Sequence, residues 1–307
     1  MNLVKVVALA GGTGSAKLLR GLSVIGVDLT VIANVGDNYW THGLYVCPDI
    51  DIAMYTLAGV ASKKKGWGIE GDTFRTLAQL GLMGESTWFS LGDRDIATHL
   101  VRTELLREGV SLTEATEKLR KAYGVSQRLL PVTDDSVETR VLTSRGTMHL
   151  QEFWVRERGD PAVRGVKYTG ASDAVPTRQV EEAIGTADRI VVCPANPVSS
   201  IGPMLAAPGF LKMLASAPAR ITSLSPMIGQ EPISGPAGKL MKAMGMRTDS
   251  VGVAEAYSGF IDSLIIDRRD RRVATDIREL GVSCRSSDIV MRGRRDEIRL
   301  ARELLAA

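Results

Sequence analysis

Residues 4–10, apolar apart from Lys5, form a strand pattern that passes straight into Gly11, Gly12, Thr13 and Gly14 and then into a helical pattern. A continuous apolar run suits a strand with helices over both faces, so the chain opens as the first β-turn-α unit of a parallel sheet. The glycines remove Cβ atoms where the backbone must turn sharply and approach a ligand, and the helix start presents unpaired N–H groups to an anion. The pattern completes neither familiar fingerprint: Lys17 stands where a dinucleotide motif has its third glycine, and no Gly-Lys-Ser/Thr closes a P-loop. Asn34 occupies the place where a dinucleotide site wants an acidic residue for the ribose, which disfavours NAD(P) chemistry. Phosphate binding with Thr13, Ser15 and Lys17 as donors survives, against the plainer alternative of a tight β–α connection.

Two blocks read as parallel β/α units, residues 1–62 and 184–307. The first holds a helix over 15–25, a second strand ending at Asn34 and a helix from Pro48 onward; the second holds ADRIVVCP, a buried strand, and ARITSLSP, which repeats its strand-then-proline design. Between them, residues 63–183 change character: helical patterns at 72–82 and 112–123 flank GDRDIATHLVRTELL, and RVLTSRGTMHLQEFWVRE alternates like a hairpin turning at Arg145 and Gly146. The expected fold is α/β: a Rossmann-like, doubly wound, mainly parallel sheet, with 63–183 inserted as a smaller α+β lobe.

With 38 basic and 35 acidic residues the net charge is +3, too balanced to indicate nucleic-acid binding. Lys63, Lys64 and Lys65, and Arg292, Arg294 and Arg295, read as solvated surface, with an anion-binding rim as the second choice. Cys47, Cys193 and Cys284 form no CxxC pair, so neither a disulfide framework nor a zinc site is expected. With no leader pattern and no apolar stretch of about twenty residues, a cytoplasmic protein without membrane spans is expected.

Asp37, Asp49 and Asp51 follow the second strand and are the strongest metal candidates, since oxygen ligands suit Mg²⁺. Asp49 or Asp51 serves equally well as the cap of the next helix. Asp95, His99 and Arg102 fall at i, i+4 and i+7, on one helix face, either as an anion clamp with an imidazole or as a surface ladder. His42, His99 and His149 are too scattered for a metal motif, and no G-x-S-x-G elbow supports a serine triad. The loops 194–202, 225–229 and 235–239 each follow a strand, and with the glycine turn they point to one shared ligand cleft.

GGTGSAKLLRGL, NVGDN, CPDIDIAMYTLAG, WGIEGDTF, LGDRDIATHLVR, LPVTDD, NPVSSIGP, SPMIG and SGPAGKLM, in that order over about residues 5–290, resemble the 2-phospho-L-lactate transferases of deazaflavin coenzyme F-420 biosynthesis. The resemblance implies a homodimeric, Mg²⁺-dependent enzyme. Its reaction would move a phospholactyl or phosphoenolpyruvyl group from a guanosine diphosphate conjugate to the deazariboflavin Fo and release GMP. It implies that Asp37, Asp49 and Asp51 hold the metal or the ribityl hydroxyl of Fo, and that Arg94 stands near the flavin or the transferred phosphate. Gly12, Thr13, Gly14, Lys17, Asn196, Ser199 and Ser200 would line the guanosine diphosphate side, and Trp67 or Trp88 would wall the deazaflavin ring. A related, non-catalytic nucleotide-sensing regulator is the competing expectation.

Overall fold

The computed structural model describes residues 3–307. Strand β1 (Lys5–Ala10) leads through helix α1 (Gly12–Leu22) to β2 (Asp28–Ala33), and a short hairpin, β3 (Tyr39–Thr41) and β4 (Leu44–Val46), precedes α2 (Pro48–Leu57). Helices α3 (Arg75–Leu82), α4 (Asp93–Arg107) and α5 (Leu112–Ala122) carry the chain to β5 (Arg128–Pro131). Next come β6 (Glu138–Thr143), β7 (Gly146–His149) and β8 (Val163–Thr169), then α6 (Arg178–Gly185) and β9 (Arg189–Val192). After β10 (Arg220–Leu224), a two-stranded ribbon of β11 (Met227–Ile228) and β12 (Glu231–Pro232) precedes β13 (Ser263–Asp267), β14 (Ser283–Ser287) and the C-terminal helix Arg294–Leu305.

The large sheet has seven strands in the order β14-β13-β10-β9-β1-β2-β5, and each pairing is parallel. β1 and β2 are buried along all but their first residue, as a strand sandwiched between helix layers must be. From β1 the chain works outward through β2 to β5, then returns to β9 on the other side of β1 and works outward again. The β1/β9 boundary is thus the topological switch point, where loops leaving the carboxyl ends of adjacent strands diverge and open a crevice.

The expected α/β class and mainly parallel sheet are observed, with local differences. β5 lies inside 63–183 yet forms one edge of the large sheet beside β2, so that segment is not wholly set apart from it. The antiparallel part is β7-β6-β8, and β6 alternates between half-buried and buried residues, as one covered face requires. The hairpin turns at Ser144 and Arg145, one residue before the expected pair because Gly146 already pairs with Thr143, and its second strand stops at His149. Residues Glu152–Arg156 form a π-helical turn instead, placing Phe153 in the core and Trp154 outward. α1 starts at Gly12 rather than Ser15, because Gly12 itself, at φ +68°, makes the turn into the helix.

α1 is clamped from outside by the C-terminal helix. Arg20 and Glu297 form a two-point ion pair at 2.6 and 3.2 Å, and a Cβ on Gly21 would lie 2.1 Å from the carbonyl oxygen of Glu297. Backbone cannot yield there as a flexible side chain would. Gly21→Ala should therefore cost about 1–3 kcal/mol by overpacking. Urea denaturation checks this, and an unchanged midpoint would show that the two helices separate freely.

Candidate active site

The crevice above β1 and β9 is a cleft of ≈ 680 Å³, lined by the glycine turn, the start of α2, the 194–200 loop, residues 233–237 and residues 289–291. Three of the loops singled out by sequence, together with the glycine turn, do meet at one cleft. Two glycines account for the closeness of the walls. A Cβ on Gly14 would sit 2.4 Å from the carbonyl oxygen of Pro194, and one on Gly11 would sit 2.5 Å from Cβ of Ser200. Any larger residue at either position would push the loop after β9 away from the head of α1.

Asp49 is the hub of this wall. The amide of Gly12 donates to its Oδ1 at 2.7 Å, and Asn34 Nδ2 donates to its Oδ2 at 2.8 Å. Asn34 is fully buried and also reaches the carbonyl of Ser199 at 3.2 Å, while its Oδ1 accepts from the amide of Gly36 at 2.8 Å. One asparagine thus ties β2, α2 and the loop after β9 together at the switch point. Sequence reasoning saw Asn34 only as the absence of a ribose-binding acid. No side chain caps α2 from its N-cap position and Asp49 does not bond its head, but Asp51 Oδ2 accepts from the amide of the N-cap residue Cys47 at 3.3 Å.

Asp37 is also buried, and its Oδ1 has no hydrogen-bond partner. Burial first, and the Asp49 charge second, push its carboxyl well above the ordinary range, against an opposing bond from Asn34. Burial likewise raises Asp49 to about 6, with the Asn34 and Gly12 bonds opposing it. Two desolvated carboxylates together, one with an orphaned oxygen, fit a divalent cation, and oxygen donors suit Mg²⁺. Among the described residues no group of three or more His, Cys, Asp or Glu side chains is placed to hold a metal. Asp37 and Asp49 would therefore hold such an ion as a two-carboxylate set, which leaves the rest of its oxygen ligands to come from outside the protein's acids.

Asp51 does not join that set. Arg102 bonds both of its oxygens, Nη1 to Oδ2 at 3.1 Å and Nη2 to Oδ1, so its lone pairs are committed to a guanidinium. This corrects the sequence grouping of Asp51 with Asp37 and Asp49. It also corrects both readings of the Asp95, His99, Arg102 face, which is neither an anion clamp nor a surface ladder: all three are buried and turned toward α2.

The remaining candidates divide. Gly12, Thr13, Gly14, Lys17, Asn196, Ser199 and Ser200 all line the cleft. Lys17 is exposed and its Nζ reaches the carbonyl of Met291 at 3.3 Å, at the cleft wall. Asn196 caps the turn Pro197–Ile201, its Oδ1 accepting from the amides of Val198 at 2.9 Å and Ser199 at 3.3 Å, and its Nδ2 is left without a partner. Arg94 stands outside this cleft: it is exposed, and its guanidinium reaches the carbonyl of Glu70 at 3.3 Å. Trp88 packs edge-on against Tyr39 and Phe89, whereas Trp67 does line the cleft.

Residues that sequence reasoning placed elsewhere also line the cleft. Lys63, Lys64 and Lys65 are exposed, as a solvated run should be, and also form part of its wall. Trp154, 43% exposed, lines it too; the strand pattern read through this residue concealed it. Lys239 of the 235–239 loop turns away and bonds the carbonyls of Gly159 and Asp160.

Fold and site together define an α/β protein with a glycine-walled, carboxylate-floored cleft at the switch point of a parallel sheet. A family model described as 2-phospho-L-lactate transferase CofD matches residues 6–297. A 2-phospho-L-lactate transferase of Methanosarcina acetivorans is 43% identical over 288 residues, 93% of each chain. A phosphoenolpyruvate transferase of Streptomyces coelicolor is 42% identical over 310 residues, 98% of this chain and 97% of that one. A solved member of the UPF0052 family from Bacillus halodurans shares the fold, with a TM-score of 0.66 and 20% identity over 99% of both chains. The chain belongs to the 2-phospho-L-lactate transferase CofD family and is a transferase of that family.

The raised carboxyls carry a sign that stability can test. A carboxyl whose native value is raised binds its proton more tightly folded than unfolded. The native state therefore loses stability as pH climbs from the ordinary 3.8 through the raised value, about 6 for Asp49. In metal-free protein, Asp37→Asn should raise the thermal midpoint at pH 8 and show no advantage at pH 4. Thermal melts across that range test it, and equal midpoints at pH 8 would show that the pair carries no charge penalty.

Proposed function

We propose that the enzyme transfers a 2-phospho-L-lactyl or phosphoenolpyruvyl group from its guanosine diphosphate conjugate to 7,8-didemethyl-8-hydroxy-5-deazariboflavin, Fo, and releases GMP, a step of coenzyme F-420 biosynthesis. The observation that carries the reading is the buried Asp37–Asp49 pair at the mouth of the glycine turn. Curated relatives named for each donor match nearly the whole chain, so both donors stay within the proposal.

The ribityl hydroxyl of Fo attacks the phosphorus that carries the lactyl or enolpyruvyl oxygen. A ribityl O–P bond forms, the bond from that phosphorus to the bridging oxygen breaks, and GMP departs with the electron pair. The leaving group is already a stable anion, so positioning and charge neutralisation account for most of the rate, as elsewhere in phosphoryl transfer. Asp37 and Asp49 would hold Mg²⁺, which supplies positive charge to the diphosphate when bound. The head of α1, with Thr13 and Gly14, holds phosphate oxygens, and Lys17 adds a mobile positive charge. Lys63, Lys64 and Lys65 draw the anionic donor toward the cleft. One of Asp37 and Asp49, the two aspartates on the cleft wall paired with neither Arg102 nor His99, accepts the hydroxyl proton.

The same reading takes the protein as cytoplasmic and homodimeric. Among the described residues no helix is long and apolar enough to cross a membrane. α3 has no buried residue, and Leu82 and Met83 beside it are 82% and 68% exposed, an apolar edge that a second copy would cover. A second subunit is also the source from which an arginine like Arg94 would be brought near a bound ligand. The competing reading, a nucleotide-sensing regulator, predicts guanine nucleotide binding without transfer.

Incubation with Fo, Mg²⁺ and each donor in turn, followed by mass spectrometry, should yield a phospholactyl or phosphoenolpyruvyl adduct of Fo together with GMP. Asp49→Ala should abolish the adduct while circular dichroism stays native. Nucleotide binding with no adduct from either donor would favour the sensor. Neutralising Lys63, Lys64 and Lys65 together should raise KM for the donor about tenfold at low salt and less at high salt, with kcat little changed. A KM independent of both the lysines and salt would remove them from donor capture.

A further inference from the structure

The seam between α2 and α4 is polar although it is buried. α2 contributes Asp51 and Tyr55, one turn apart, and α4 contributes Asp95, His99 and Arg102 along one face; none is more than 6% exposed. Tyr55 Oη donates to Asp95 Oδ1 at 2.7 Å, and His99 Nε2 faces the same oxygen at 3.3 Å. On its other side His99 Nδ1 meets Arg102 Nη1 at 3.2 Å, and Arg102 forks onto Asp51. A guanidinium nitrogen only donates, so Nδ1 accepts and the imidazole proton sits on Nε2, toward Asp95. The ring of contacts runs from α2 through α4 and back to α2, and Arg102 is its one forked, two-point member. Arg102 Nη1 also reaches the carbonyl of Tyr45 on β4 at 3.4 Å.

Stability does not account for such a seam, since well-packed apolar residues commonly do as well or better than a buried ion pair. Direction does: a two-point guanidinium–carboxylate bond fits a single rotation and a single axial offset of one helix on the other. Asp51 Oδ2 also accepts from the amide of Cys47 at the head of α2, at 3.3 Å, and Asp49 lies in the same first turn, two residues before Asp51. We propose that Arg102 is a positioning residue: by clamping Asp51 it fixes the register of α2 on α4, and so holds Asp49 against the amide of Gly12 at the head of the cleft. The catalytic consequence rests on the reading of Asp49 under Proposed function; the geometric one does not.

The test is the double variant Asp51→Leu/Arg102→Met, which removes both charges and leaves neither buried alone. Its thermal midpoint should stay within a few degrees of wild type. Amide exchange at Gly12, whose N–H is held by Asp49, should quicken about tenfold, while Val7 and Leu9 of β1 keep their protection. Transferase kcat should fall at least about tenfold with KM for the donor within about threefold. Arg102→Lys, which keeps the charge but loses the fork, should lie between wild type and the double variant in both readouts, and it decides the matter if the double variant does not fold. Wild-type protection at Gly12, or an unchanged kcat in an active enzyme, overturns the proposal. The exchange measurement needs neither donor nor Fo, so a wild type inactive on both donors would discredit the transferase reading while leaving the seam to be judged at Gly12.

Discussion

The contact between the glycine turn and the loop after β9 is the constraint on which the site depends. Gly14 lies against the carbonyl of Pro194 and Gly11 against Ser200, in each case closer than a Cβ permits. That approach brings the head of α1 and the buried Ser199 and Ser200 to a common wall, and Asn34 bonds across it from β2 to Asp49 and to the carbonyl of Ser199. Because β1 and β9 are sheet neighbours although about 180 residues separate them, this wall exists only once the parallel sheet has closed.

Charge is distributed around that wall unequally. Four buried carboxylates, Asp37, Asp49, Asp51 and Asp95, lie on or near the cleft floor. Asp51 is answered by Arg102, and Asp95 by Tyr55 and His99, which with Arg102 lower its carboxyl despite burial. Among the described residues no cationic side chain pairs with Asp37 or Asp49, and burial, joined at Asp37 by the Asp49 charge, raises their carboxyls. The fold neutralises the acids it uses for architecture and leaves unneutralised the pair that faces the cleft.

Legibility followed the range of the interactions involved. The glycine turn, the continuous apolar strands and the proline-terminated strands are local signals, and they placed the parallel sheet and its ligand edge. The segment 63–183 was only partly legible: its helices and hairpin have local periods, but β5 joins the large sheet through pairing with β2, a partner about a hundred residues away. Trp154 was hidden because apolar alternation carried the strand pattern past His149 into a π-helical turn. The role of Asn34 was invisible because its bonds run to residues 15 and 165 positions away. Likewise, the i, i+4, i+7 spacing of Asp95, His99 and Arg102 marked a shared face but not whether that face met solvent or α2.

By itself the sequence determined the α/β class, the glycine turn after β1 and the resemblance to a transferase family, because each is written in contiguous residues whose spacing reflects local backbone geometry. Only the tertiary structure decided which of three nearby aspartates stay available to a cation, that Lys63, Lys64 and Lys65 face the cleft, and that Arg94 lies outside it. Those outcomes depend on burial and on partners brought from distant segments. Whether a charge is solvated, paired or left facing a ligand is set by what packs over it.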